Sequence, residues 1–394
     1  MQQPLTSPKT KIFFPNLDGL RFISFFVVFF YHSYLSFFAY LKDSDPVTHS
    51  AVGFLFKHGN LGVNFFFVLS GFLITYLLIK EKELKSTIHI GNFYVRRILR
   101  IWPLYYLCLF IGFVLFTAIK KYTGESAIET ANPWYYIFFA ANFDFMQTWP
   151  ERPNAMMLSV LWSVAVEEQF YLTWPILLKI IPMRKFKFVF PAIMLFSLVF
   201  RAIYSGCDEG DPEGRLFAIR YFHTFSVIGD MALGGLFAYL CSYESRFKRF
   251  FVELPRMLIV LMYVLTFTII FFKTQLFPCG IPVIFERLVI GAFFGMIILE
   301  QNYSKNSLFK MGRFRLISKL GVYTYGLYCL HLIGMYIAVK IVAILGMNPE
   351  DTLTAWVSLV ISLLLSIVIS ISSYHLFEKW FLKLKDRFAV IVSK

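Results

Sequence analysis

The sequence predicts an all-α integral membrane protein, and three observations carry that prediction. Of 394 residues, 58% are hydrophobic and 16% are charged, where a soluble domain has about 25% charged residues. Apolar runs long enough to cross a bilayer core, about 18 residues or more, recur from one end of the chain to the other. The basic residues sit in short loops between those runs. The net charge of +14 is therefore the mark of an oriented membrane protein, and a nucleic-acid footprint is excluded.

Ten spanning helices are expected, at 18–40, 61–80, 98–119, 159–181, 187–204, 221–241, 256–273, 282–300, 318–345 and 353–377. With the N-terminus (Lys9, Lys11) in the cytoplasm, the inner loops hold Lys80, Lys82, Lys85, Arg96 and Arg97, then Lys179, Arg184, Lys185 and Lys187. Arg246, Lys248, Arg249 and Arg256 follow, then Lys305, Lys310, Arg313, Arg315 and Lys319. The tail adds Lys379, Lys383, Lys385 and Arg387, so both termini are expected in the cytoplasm. The outer loops receive Asp43 and Asp45, then Asp208, Glu209, Asp211 and Glu213, then Glu350 and Asp351. A further apolar stretch, 134–146, is short, and counting it as a span would put three basic clusters outside. It is expected to be a non-spanning aromatic element, buried in protein or lining a cavity. No repeat, low-complexity tract or linker divides the chain, so one membrane domain over 1–394 is expected.

Of five cysteines, none shows CxxC or zinc spacing. Cys207 and Cys279 fall in predicted outer loops and are the candidate disulfide pair.

Ionisable residues inside spans point to function, because such groups are rare there and face the protein interior or a cavity. Arg21 and His32 lie 11 positions apart in the first span. That is three helical turns plus about 20°, so both share one face, about 16 Å apart along the axis. Alone, Arg21 would read as a snorkelling anchor and His32 as a hydrogen-bonded interior group. Stacked on one face, they read as a site. Asp18 reads as the helix N-cap.

Arg96, Arg97 and Arg100 enter the third span together. Guanidiniums at a helix N-terminus suit a phosphate-rich ligand, although such clusters also serve topology and anionic lipids. Glu167 and Glu168 lie a third of the way into the fourth span, 100° apart, so one at most aims squarely into a shared cavity. Either is a candidate counter-ion for His32 or Arg21. His331 sits near the middle of the ninth span; by itself it reads as a satisfied interior histidine. His49, His58, His89, His223 and His375 show no metal-ligand spacing, and no metal is expected. Ser70-Gly71 lacks the strand and flanking glycine of a nucleophile elbow, so close helix packing is expected there.

Taken together these segments resemble the acyltransferase-3 family of integral membrane acyltransferases. Five motifs carry the resemblance, in order. They are Leu17-Asp18-Gly19-Leu20-Arg21 with the Arg21–His32 pair, Gly62 to Ile74, Arg96-Arg97-x-x-Arg100-Ile101-x-Pro103, Trp162 to Pro175, and Tyr325-Gly326-Leu327-Tyr328-Cys329-Leu330-His331. Two departures are Asn64, where an acidic residue is common, and Trp380, where the family's closing motif has proline. Many members carry a further C-terminal esterase-like domain, which is not expected here.

The resemblance implies a donor, acyl-coenzyme A and usually acetyl-coenzyme A, and an acceptor hydroxyl on an envelope carbohydrate or glycolipid. It implies residence in the cytoplasmic (inner) membrane. Arg21, Arg96, Arg97 and Arg100 would hold the coenzyme phosphates. His32 would act as general base or carry the acyl group briefly. Glu167 or Glu168 would set its tautomer or balance its charge, with His331 a further catalytic candidate. A secondary transporter or flippase for a lipid-linked sugar is the alternative, since buried Arg, Glu and His also suit a proton relay.

Overall fold

The computed structural model describes residues 10–11, 14–124, 126, 128–207, 214–388 and 391–392. Of the predicted loop charges, Lys9, Asp208, Glu209, Asp211 and Glu213 lie outside the described residues. Helices make up the fold; the exception among the described residues is a two-residue parallel pairing of Thr10–Lys11 with Ile391–Val392.

The long helices are α1 (Pro15–Ser36), α2 (Leu61–Lys85), α3 (Ile90–Phe110), α6 (Leu161–Ile180), α7 (Phe186–Ile203), α8 (Thr224–Tyr243), α11 (Ile281–Tyr303), α13 (Thr324–Ile344) and α14 (Thr352–Ser373). Shorter pieces are α4 (Pro133–Ile137), α5 (Ala141–Thr148), α9 (Ser245–Val252), α10 (Arg256–Phe271) and α12 (Arg315–Gly321).

Among the described residues, eight helical stretches are long and apolar enough to cross a membrane. The number becomes nine if α9 and α10, bent by 91° at their junction, count as one. Two of the ten expected spans fall outside that count when each is taken singly. The stretch at 256–273 is a 16-residue helix that qualifies only with its bent partner. The stretch at 159–181 forms the 20-residue α6, whose middle, Glu167-Glu168-Gln169, makes it less apolar than its neighbours.

The segment 134–146 does not span. It forms α4 and α5, of 5 and 8 residues, each far short of a bilayer's thickness. Side chains from the bundle satisfy its backbone, as buried irregular structure requires. Tyr105 Oη donates to the Tyr136 carbonyl (2.7 Å), and Gln169 Nε2 donates to the Phe139 carbonyl (2.8 Å) and to Asn142 Oδ1 (2.9 Å).

Small residues set the closest helix approaches, the usual device where lipid supplies no hydrophobic drive between helices. A Cβ at Gly71 would stand 2.0 Å from the Met231 carbonyl, and one at Gly234 2.0 Å from the Val68 carbonyl. Backbone therefore touches backbone between α2 and α8, and Gly71, though not Ser70, has the packing role expected of the pair. Cys207 and Cys279 form a disulfide between the segments after α7 and before α11. Cys108, Cys241 and Cys329 are buried free thiols.

A buried charge network ties α7, α8 and α11. Arg287 bonds Asp230 at 2.5 Å, both side chains nearly inaccessible. Arg201 donates to the carbonyls of Val283 (2.5 Å) and Ile284 (2.9 Å) and to Ser226 Oγ (2.9 Å). Removing one partner of such a pair leaves a bare charge in a dry interior, at about 3–5 kcal/mol. Asp230→Ala is therefore expected to lower the melting temperature in detergent clearly, measured by fluorescence-detected gel filtration after heating. A melting temperature equal to the parent's would show that the pair stabilises nothing.

Candidate active site

Helix α1 begins without a side-chain cap: its N-cap is Phe14, and Asp18 sits within the first turn. Asp18 is thus not the cap that the sequence suggests. Its carboxylate instead accepts from Arg21 Nη1 at 2.7 Å, three residues along the same helix. That pair holds Arg21 at the wall of an open cavity of about 140 Å³ lined chiefly by α1, α2, α3, α6 and α13.

Two guanidiniums from α3, those of Arg97 and Arg100, join Arg21 on the cavity wall. Arg97 lies against the rings of Phe93 (5.4 Å) and Tyr171 (5.3 Å), and its buried Nε has no partner. Stacking of this kind fixes the planar fork in place while leaving donors free. Arg96, the third member of the expected cluster, does not line the cavity. It reaches Glu81 Oε2 (3.2 Å) and the Phe388 carbonyl (2.8 Å). Glu81 is almost wholly buried and also accepts from the His89 backbone N–H, so it needs a counter-charge, which Arg96 supplies.

The two glutamates part as helical geometry requires. Glu167 lines the cavity, where Ser70 Oγ donates to its Oε1 at 2.6 Å and Tyr171 Oη donates to Ser70 Oγ at 3.2 Å. Glu168 faces α3, accepts from Trp102 Nε1 at 2.9 Å, and keeps its other oxygen buried without a partner. Among the described residues neither carboxylate bonds an imidazole, so the expected counter-ion of His32 is not in contact with it.

At its far wall the cavity meets Tyr328, whose Oη lies 2.6 Å from Ser163 Oγ. The other side of Tyr328 packs on His331, at 6.2 Å between ring centroids. His331 is fully buried and lies 5.2 Å from His32 between centroids, with Phe25 edge-on at 5.7 Å. The two histidines therefore meet just beyond the cavity, on the side away from the arginines.

Sequence reasoning missed three participants. Arg152 acts electrostatically on both His32 and Tyr31 from the segment after α5. Nothing local marked it out, since the same outer segment also carries Lys120, Lys121, Glu129 and Glu151. Glu81 carried no signal beyond being one of several charges at a helix end. Tyr328 lay inside a recognised motif, but only the tertiary structure sets it between cavity and histidines. Asn64, one of the two departures, is buried in α2 with its Nδ2 unpartnered. Among the described residues no group of three or more His, Cys, Asp or Glu is placed to hold a metal ion.

An all-helical bundle with these spans, and a cavity that carries three guanidiniums on a largely apolar wall, define a multi-pass membrane protein with a candidate ligand site. A family model described as an acyltransferase domain matches residues 14–375, nearly the whole chain, and the chain belongs to that acyltransferase-3 family. Its relatives are O-acetyltransferases. A Staphylococcus aureus (strain COL) protein assigned as an O-acetyltransferase is 31% identical over 248 residues, covering 60% of this chain and 36% of that protein. The peptidoglycan O-acetyltransferase OatA of Listeria monocytogenes is 24% identical over 344 residues, covering 83% of this chain and 50% of that protein. The O-acetyltransferase OatA of Staphylococcus aureus (strain NCTC 8325) is 31% identical over 182 residues, covering 44% and 26%. The chain thus spans half or less of the length of these relatives. No solved structure matches.

Proposed function

We propose that the protein transfers an acetyl group from acetyl-coenzyme A to a hydroxyl of an envelope carbohydrate or glycolipid. The observation that carries this reading is one cavity with Arg21, Arg97 and Arg100 on its wall and an imidazole pair just past its other limit. Three guanidiniums suit the phosphates of the coenzyme. Ser70, Glu167 and Tyr171 are hydrogen-bonding groups along the path that the pantetheine arm would take. His32 takes the proton of the acceptor hydroxyl as its oxygen attacks the thioester carbonyl. Collapse of the adduct breaks the C–S bond, and the imidazolium returns the proton to the departing thiolate. A carbohydrate alcohol as acceptor is supported by the Listeria relative, a peptidoglycan O-acetyltransferase.

Orientation follows the same reading. The arginine end faces the cytoplasm, where the basic loops lie. The Cys207–Cys279 disulfide belongs to the opposite, oxidising side, of the inner membrane. Sealed membrane vesicles of both orientations, given acetyl-coenzyme A labelled in the acetyl group, test the reading. Label is expected on a membrane glycoconjugate when the coenzyme reaches the arginine end. Transfer only from the disulfide side would overturn it.

A further inference from the structure

Within α13, His331 Nδ1 lies 2.8 Å from the Tyr328 carbonyl and 3.2 Å from the Leu327 carbonyl. A carbonyl only accepts, so Nδ1 carries the hydrogen and donates it to its own helix. The neutral ring then has one lone pair left, on Nε2. That Nε2 is buried and has no hydrogen-bond partner, an arrangement which costs stability unless something uses it. The polar ring beside it is His32, at 5.2 Å between centroids and tilted by 51°. Two imidazoles that share one N–H···N bond have centroids roughly 5 Å apart. The separation is therefore already that of a bonded pair, and rotation of the His32 ring brings its N–H onto His331 Nε2.

Resting on the reading of His32 as the base, we infer that His331 is the positioning residue of the reaction. Its Nε2 accepts the N–H of His32 and so selects the His32 tautomer whose opposite nitrogen bears the lone pair. That lone pair is the one that takes the acceptor's proton. The role expected of Glu167 or Glu168 thus passes to a histidine whose own tautomer is locked by the backbone. His331 itself keeps its proton on Nδ1 throughout. In the transfer step the proton moves from acceptor oxygen to His32 and on to the coenzyme sulfur, while the acetyl carbon exchanges its bond to sulfur for one to oxygen.

The test has two arms on the full-length protein. In the first, acetyl transfer in membranes is compared for wild type, His331→Phe and His331→Gln. Phe keeps a ring and removes the acceptor; Gln restores an acceptor oxygen. His331→Phe is expected to lose roughly 10- to 100-fold in kcat with KM for acetyl-coenzyme A unchanged, and His331→Gln to regain most of it. Phe transferring as well as wild type, or Gln as poorly as Phe, would overturn the inference. In the second arm, nitrogen-15 spectra of histidine-labelled wild type in lipid are recorded. They are expected to show His32 as a single tautomer with a coupling across an N–H···N bond to His331. A His32 ring exchanging between both tautomers would overturn the proposal even if the Phe variant failed to fold. Should His32→Ala retain wild-type transfer, the reading of His32 as base fails first, which is a separate outcome.

Discussion

Replacing His32 by alanine is expected to lower acetyl transfer by about 10²- to 10⁴-fold, the usual contribution of a positioned general base. The loss should appear in kcat, with KM for acetyl-coenzyme A near that of wild type. His32 stands beyond Tyr328 and does not line the cavity that holds the arginines, so donor binding does not depend on it. A protein that folds and binds the coenzyme but transfers nothing is the signature sought. It is read by initial rates with labelled acetyl-coenzyme A, alongside equilibrium binding of coenzyme A to purified protein. A variant that loses coenzyme binding in step with transfer would move His32 from catalysis to donor recognition. A variant as active as wild type would remove it from the mechanism.

The second large effect distinguishes neighbouring arginines. Arg100→Ala is expected to raise KM for acetyl-coenzyme A by roughly 10- to 100-fold, as befits one lost charge-assisted contact to a phosphate. Arg96→Ala is expected to leave that KM unchanged, because its guanidinium is committed to Glu81 and the Phe388 carbonyl. Its cost should fall on stability, since Glu81 is then buried without its cation. Measuring KM and thermal stability on both variants separates the two roles. Equal KM effects at the two positions would mean that Arg96 leaves Glu81 when the donor binds.

What could be read from the sequence is what a single helix dictates. Apolar run length foretold the spans, and a period of 3.6 residues put Arg21 and His32 on one face and Glu167 and Glu168 on different ones. Charge bias between loops marked the stretch at 134–146 as non-spanning, because the cost of misplacing basic clusters is local and additive. At 256–273 hydropathy marks the apolar stretch but does not register the 91° bend between α9 and α10 that precedes it.

The tertiary structure alone decided the pairings between helices. Nothing local distinguishes Arg96 from Arg97; the buried carboxylate of Glu81 on another helix draws one away and leaves its neighbour at the cavity. Asp230 and Arg287 look like two stray charges until α8 and α11 pack them together. His32 and His331 stand at opposite ends of the chain and meet only because α1 and α13 pack side by side. The physical reason is common to all three. Helical periodicity fixes directions within one element, whereas the partner of a buried charge is set by which elements become neighbours. In a lipid environment that choice rests on small-residue contacts such as Gly71 on Met231, which carry no mark of the chemistry they bring together.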